Sequence, residues 1–83
     1  MIKILFFAAL RERLECEQYL LSCDGKILNV ATVLDQLRNR GNNWQQELSR
    51  TDLLCAVNQQ LVPLTASVQD GDELAFFPPV TGG

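Results

Sequence analysis

The most regular pattern of apolar residues lies between residues 30 and 40 and has the spacing of an α-helix. Its apolar positions follow i, i+3, i+4 and i+7 and are Val30, Val33, Leu34 and Leu37. This spacing places them on one face, which predicts an amphipathic helix packed against a core. Asn29 precedes the stripe as a suitable N-cap, and Gly41 follows it as a suitable end. Arg38 and Arg40 are expected near the negative end of the helix dipole.

Short apolar runs without helical spacing predict the strands of a sheet. Strands are expected over residues 2–8, more weakly over 15–23, and over 54–57, 61–62 and 73–77. These runs are rich in β-branched and aromatic residues, whereas Pro63 confines the 61–62 strand to a sheet edge. The Asp-Gly-Asp sequence at residues 70–72 predicts a tight turn, and residues 58–60 predict another. Residues 9–14 and 44–48 are expected to form short helical turns.

The order of these elements is strand, short helix, strand, helix and then strands. Such a chain can bury its apolar faces as a mixed sheet wrapped around one main helix, which is an α+β fold. The first and last strands would then pair in parallel at the centre of the sheet. We expect residues 1–78 to form this domain and residues 79–83 to form a flexible C-terminal tail.

Side-chain alternation along the strands predicts a sheet with two different apolar faces. Since Lys3 prefers water, the opposite face of the first strand, which includes Phe6, should meet the helix. The same alternation directs Phe7, Phe77 and Leu5 to the face without the helix, where Leu61 can join them. An exposed apolar patch of this kind marks a partner site, unless loops fold over it and bury it.

Composition limits the chain to one small domain. It has 83 residues, of which 47% are hydrophobic, enough for a single core. The net charge is −3 and no basic cluster occurs, which argues against a nucleic-acid-binding protein and suits a protein partner with a positive surface. The first apolar run is too short to span a bilayer and lacks a signal-peptide cleavage pattern, so we expect a cytoplasmic protein.

The residues that usually carry catalysis are scarce. The chain has no histidine, which removes the commonest general base and metal ligand. Its three cysteines, Cys16, Cys23 and Cys55, lack Cys-x-x-Cys spacing and are too few for a closed zinc site or a plant-type iron–sulfur cluster. We therefore expect no metal, and we interpret the cysteines as apolar fillers whose free thiols fit a reducing compartment.

The C-terminus offers a different kind of reactive group, the α-carboxylate of Gly83. Pro78 and Pro79 stiffen the chain before it, and residues 79–83 can reach about 15–18 Å when extended. Without Cβ atoms, Gly82 and Gly83 can enter a passage too narrow for other residues. A frayed end without function is the alternative interpretation.

The sequence from Asp70 to Gly83, with its Phe-Phe-Pro-Pro-Val-Thr-Gly-Gly end, resembles the small, sulfur-carrying subunits of molybdopterin synthase. Residues 2–8, Arg11-Glu12 and the Ala-Val-Asn-Gln of residues 56–59 resemble that family as well. The likeness extends over the whole chain, although residues 15–52 contribute little to it. It implies a ubiquitin-like β-grasp fold, in agreement with the predicted order of elements.

The resemblance also implies a function. Gly83 would be adenylated by an ATP-dependent, ubiquitin-activating-like enzyme, and a sulfur donor enzyme would then convert it to a thiocarboxylate. The large synthase subunit would supply the catalytic side chains and accept the tail, with Val80, Thr81 and Gly82 giving access. Sulfur would pass to cyclic pyranopterin monophosphate (precursor Z) to form the molybdopterin dithiolene in a heterotetramer. No cofactor would be bound, and Phe7, Leu61 and Phe77 would form the docking surface.

Three alternatives remain open at this point. The first is a sulfur carrier of another pathway, such as that of thiamine. The second is a ubiquitin-like protein modifier, and the third is an interaction domain with an inert tail. The Phe-Phe-Pro-Pro sequence before the end favours the synthase subunit, because ubiquitin-type tails are usually longer and more basic.

Overall fold

The computed structural model of the protein describes residues 1–79. Three helices are present in this part of the chain: α1 (Ala8–Leu14), α2 (Val30–Arg38) and α3 (Asn42–Leu48). The strands there are β1 (Ile2–Phe6), β2 (Gln18–Leu21), β3 (Leu28–Asn29), β4 (Leu54–Val57), β5 (Gln60–Leu61), β6 (Ser67–Val68) and β7 (Glu73–Phe77). The predicted elements are therefore all present, with most of their boundaries shifted by one or a few residues.

The main sheet has the strand order β2-β1-β7-β4-β5. β1 and β7 pair in parallel, with Ile4 opposite Leu74 and Phe6 opposite Phe76, and the other neighbours pair antiparallel. The predicted parallel pairing of the first and last strands is thus confirmed. β7 is the central strand, so the chain leaves the sheet towards its C-terminus from the middle.

The core lies between one face of the sheet and the helices. The fully buried side chains of β1, which include Ile4 and Phe6, point to this side, as the position of Lys3 predicts. The stripe of α2 is also buried, and it consists of Val30, Val33, Leu34 and Leu37. Asn29 caps α2 as predicted, because its side-chain oxygen accepts a hydrogen bond from the backbone N–H of Thr32 at 2.8 Å.

The predicted end of α2 is wrong for Arg40 and Gly41. The helix stops at Arg38, and Gly41 is instead the N-cap of α3. Arg38 lies in the last turn as predicted, but its guanidinium donates two hydrogen bonds to the carbonyl of Leu48 at 3.0 and 3.1 Å. Arg40 lies beyond the helix, with its guanidinium carbon 3.9 Å from the ring centre of Tyr19. Its attraction to aromatic faces replaces the expected interaction with the helix dipole.

Trp44 lies at the edge of the core, as its predicted position in a short helix suggests. Its ring is 5.4 Å from that of Phe6 in an edge-to-face arrangement, and Arg40 covers it at 4.5 Å. α3 is thereby fixed against the sheet by aromatic contacts and by the buried Leu48 rather than by a long apolar stripe.

A small second sheet was not predicted. It pairs β3 with β6, placing Leu28 opposite Val68 and Asn29 opposite Ser67. Each strand has only two residues, which is too short for alternation to be recognised. Among residues 1–79 no helix is both long and apolar enough to cross a membrane.

Candidate docking face and tail exit

Several large apolar side chains share the face of the main sheet that carries no helix. The pairing registers place Phe77 beside Leu54, and Ala75 beside Ala56, which in turn pairs with Leu61. Directly paired residues point to the same face, as do alternate residues of one strand. We call Phe7, Leu54, Leu61 and Phe77 the outer patch.

Phe7 joins this face by continuing β1. Its backbone is extended (φ −126°, ψ 159°), and its N–H donates to the carbonyl of Phe76 at 3.3 Å. Alternation from Leu5 therefore directs the Phe7 side chain outward. The next residue, Ala8, has a left-handed backbone (φ +55°) and turns the chain into α1. The chain thus bends away immediately after presenting Phe7.

The outer patch is open to solvent at three of its four residues. Phe7 is 43% exposed, Leu54 38% and Leu61 70%, whereas Phe77 is half-buried. None of the four packs against the hydrophobic core. The alternative that loops bury this face is therefore wrong for Phe7 and Leu61, and the predicted exposure of Phe77 is only partial.

The structure brings the predicted partner-binding residues Phe7, Leu61 and Phe77 onto one face and adds Leu54 to them. Leu54 was not among the partner-binding residues predicted from the sequence. The signal was present, since the buried Cys55 alternates with it. The patch also continues over the edge of β5 into a shallow groove lined by Val62, Pro63 and the exposed Leu64.

The outer patch surrounds the point at which the chain leaves the sheet. Phe7, Phe77 and Leu54 lie at corresponding ends of β1, β7 and β4, which are adjacent strands. Strands lie about 4.8 Å apart, so these three side chains form a band about 10 Å wide across the exit. The predicted tail residues Val80, Thr81, Gly82 and Gly83 lie outside the described residues.

Pro78, the residue after β7, is half-buried and lines a small cleft with Leu10 of α1 and with Leu53. Two ion pairs border the same cleft. Arg13 lies 3.3 Å from Glu47 and joins α1 to α3, and Arg50 lies 3.3 Å from Asp52. The last residue of the domain before the tail, Pro78, therefore lies between α1 and the segment before β4.

Arg50 and Asp52, beside this cleft, shift each other's pKa values. The hydrogen bond and charge of Asp52 raise the pKa of Arg50, and the hydrogen bond from Arg50 lowers the pKa of Asp52. Both groups are ionised at neutral pH, and their charges offset one another. Neither is a candidate for proton transfer near neutrality.

The three cysteines are free thiols that are buried or hydrogen-bonded to backbone carbonyls. Cys55 is buried, its Sγ donates to the carbonyl of Val62 at 3.2 Å, and burial raises the pKa of its thiol. Cys23 is buried in the core, and the Sγ of Cys16 donates to the carbonyl of Gln18 at 3.3 Å. Because the thiolate is the nucleophilic form, the raised pKa makes Cys55 a poor nucleophile. Over residues 1–79, no cluster of three or more cysteine, aspartate or glutamate residues could hold a metal ion.

Comparisons with known proteins agree on one family. The model of the ThiS family matches residues 4–83. The molybdopterin synthase sulfur carrier subunit of Haemophilus influenzae is 42% identical over 83 residues, covering 100% of both chains.

Solved structures support the β-grasp fold. The crystal structure of SAMP1 from Haloferax volcanii superposes with a TM-score of 0.78 at 26% identity, covering 99% of this chain and 98% of that one. A chain in the complex of subunits 1 and 2 of molybdopterin-converting factor from Helicobacter pylori has a TM-score of 0.65 at 22% identity, covering 99% and 97%. The predicted α+β, ubiquitin-like fold is confirmed. The chain belongs to the ThiS family, and its match to the Haemophilus influenzae protein places it with the sulfur carrier subunits of molybdopterin synthase.

Proposed function

We propose that this protein is the sulfur carrier subunit of a molybdopterin synthase. The observation that carries the proposal is the full-length match to a curated sulfur carrier subunit, with 42% identity and no part of either chain left uncovered. The exposed outer patch around the tail exit supports the same conclusion, because a carrier must dock on a partner and insert its terminus there.

The reactive group is the C-terminal carboxylate of Gly83. An α-carboxylate has a pKa of about 3.3–3.7, so at neutral pH it is an anion and a poor electrophile. A ubiquitin-activating-like enzyme joins it to AMP from ATP and releases pyrophosphate. Sulfur supplied by a sulfur donor enzyme then attacks the carbonyl of the acyl-adenylate, AMP leaves, and Gly83 becomes a thiocarboxylate. ATP is consumed by the activating enzyme, and this chain itself binds no cofactor.

The thiocarboxylate sulfur attacks cyclic pyranopterin monophosphate within the large subunit. Two such transfers form the dithiolene, and each returns Gly83 to a carboxylate by hydrolysis. Holding the sulfur beside bound substrate raises its effective concentration. Val80, Thr81 and Gly82 give the terminus access to the large subunit, which supplies the catalytic side chains.

Docking on the large subunit uses the outer patch, with Phe7, Leu61 and Phe77 as apolar anchors. Aromatic anchors at the centre of an interface often dominate its binding energy. Two carriers bind at the ends of a heterotetramer. The three free thiols are consistent with a cytoplasmic location.

Intact-mass measurement of the protein purified from its native cells tests the proposal. We expect a fraction heavier by the mass difference between sulfur and oxygen, localised to the C-terminal peptide. A matched variant with one residue added after Gly83 should fold normally, carry no sulfur and support no molybdopterin synthesis. Full activity in that extended variant would contradict the proposal.

A second candidate function is protein modification, as in ubiquitin-like proteins. The likeness to SAMP1 of Haloferax volcanii, a small archaeal modifier protein, supports this candidate with a TM-score of 0.78. In that case the same measurement would find Gly83 in an isopeptide bond to lysines of other proteins instead of as a thiocarboxylate.

A further inference from the structure

In the turn between β4 and β5, Gln59 has a backbone conformation that glutamine rarely adopts. Val57 pairs with Gln60, so the turn has two central residues, Asn58 and Gln59. Both have left-handed backbones, with φ of +50° and +70°. These angles define a type I′ turn, in which Asn suits the first position and Gly the second. Gln59 therefore occupies the glycine position.

Another turn of this chain follows the preference. Asp24 and Gly25 have φ values of +51° and +74°, and the N–H of Lys26 donates to the carbonyl of Cys23 at 2.8 Å. Here the second central residue is glycine. The same backbone geometry is thus built with glycine in one turn and with a strained glutamine in the other, two residues before Leu61 of the outer patch.

Asn58 prevents the strained turn from relaxing. Its N–H donates to the carbonyl of Glu73 at 2.8 Å, and its Oδ1 accepts from the N–H of Glu73 at 3.0 Å. Its Nδ2 also donates to Oδ1 of Asp72 at 3.1 Å. These bonds fasten the turn to the start of β7. The exposed side chain of Gln59, by contrast, makes no hydrogen bond to any residue between 1 and 79 that would compensate for its backbone.

Left-handed backbone at a non-glycine residue persists where neighbouring structure enforces it, and such residues concentrate at functional sites. We propose that Gln59 is a recognition residue whose carboxamide hydrogen-bonds to the large subunit beside Leu61, at the end of the sheet opposite the tail exit. Leu61, the most exposed member of the outer patch, follows two residues later in the same hairpin. A carboxamide can donate and accept, which suits a polar interface rim.

This inference rests on the proposed function and names a contact beyond the apolar anchors. The test compares Gln59→Gly with the wild type in two measurements: thermal unfolding, and titration with the purified large subunit of the same organism. Glycine relieves the backbone strain, so the unfolding midpoint should be unchanged or higher. Loss of the carboxamide should raise the Kd about fivefold, the effect of about one hydrogen bond.

Glu15→Gly is the matched control. Glu15 also has a left-handed backbone, with φ of +51°, and caps α1, which packs on the core side of the sheet. This variant should have a similar unfolding midpoint and an unchanged Kd. Gln59→Asn is a second test variant, because Asn tolerates the left-handed region while its carboxamide reaches less far. It should also weaken binding.

The outcomes separate the two claims. If the wild type binds and both Gln59 variants bind equally well, this inference is overturned and the proposed function stands. A rise in Kd for Glu15→Gly as large as that for Gln59→Gly also overturns it, since general backbone flexibility would then explain the effect. If the wild type does not bind the large subunit, the proposed function and this inference both fail.

Discussion

Replacement of two neighbouring phenylalanines should separate folding from docking. Phe76 and Phe77 are consecutive in β7 and point to opposite faces of the sheet. Phe76 is fully buried, and its ring lies 6.2 Å from that of Phe6 in a stacked arrangement. Phe77 lies in the outer patch and does not pack against the core. The variants Phe76→Ala and Phe77→Ala remove the same atoms from these two environments.

The expected magnitudes differ enough to be measured. Truncation of a buried phenylalanine costs about 3–5 kcal/mol, a large part of the roughly 5–15 kcal/mol that stabilises a small domain. Phe77→Ala should lower the free energy of unfolding by only about 1–2 kcal/mol, because its side chain is half-buried and outside the core. As a central aromatic anchor, Phe77 should contribute about 2 kcal/mol or more to binding, which corresponds to about a 30-fold rise in Kd.

Urea unfolding followed by fluorescence measures the first effect. Trp44 is the single tryptophan, and its contact with the Phe6 ring makes its emission sensitive to core packing. Calorimetric titration with the large subunit measures the second effect, at a temperature at which the variant is fully folded. If Phe77→Ala destabilises the protein as much as Phe76→Ala, the outer face acts as a second core. If Phe77→Ala folds and binds with unchanged affinity, the outer patch is not the docking surface.

Three further predictions concern stability and reactivity. Asn29→Ala removes the N-cap of α2 and should lower the free energy of unfolding by about 1 kcal/mol and the Tm by about 4–8 °C, measured by thermal circular dichroism. Because burial raises the pKa of Cys55, its thiol should react with a disulfide reagent more slowly than that of Cys16 in the folded protein, and equal rates would contradict this. The hydrogen bond from Arg50 lowers the pKa of Asp52 from its ordinary 3.8. The ionised pair therefore stabilises the protein at pH values above 3.8, and this stabilisation is lost as the pH falls through the lowered pKa. Asp52→Asn should therefore flatten the acid side of the Tm profile, measured between about pH 5 and about pH 2.

The elements with long, regular patterns could be predicted from the sequence for a physical reason. α2 has an apolar stripe that must be buried, and every member of it is buried. The outward direction of Phe7 follows from Lys3 in the same way, because a charged side chain on one face assigns the other face to the core. In both cases a single local period is enough to determine the environment of each side chain.

The features that the sequence did not predict depend on contacts between distant segments. Arg40 leaves the end of its helix for the rings of Tyr19 and Trp44, and only the folded chain brings these residues together. β3 and β6 exist because each provides the other with a partner, and neither is long enough to show a period. The strain at Gln59 follows from the pairing of Val57 with Gln60, which fixes the length of the turn.

The uncovered face of the sheet follows from the size of the chain. Three short helices occupy one face and provide the core, and no further helix among residues 1–79 is available for the other. A bare apolar face is a liability for a protein that acts alone, and the proposed docking on the large subunit would cover it. Because β7 is the central strand, it is held on both sides by β1 and β4, and Pro78 is held below it at the cleft. A partner that binds the outer patch therefore meets Pro78 at a fixed position, and the cost of orienting the chain up to this residue is met when the domain folds.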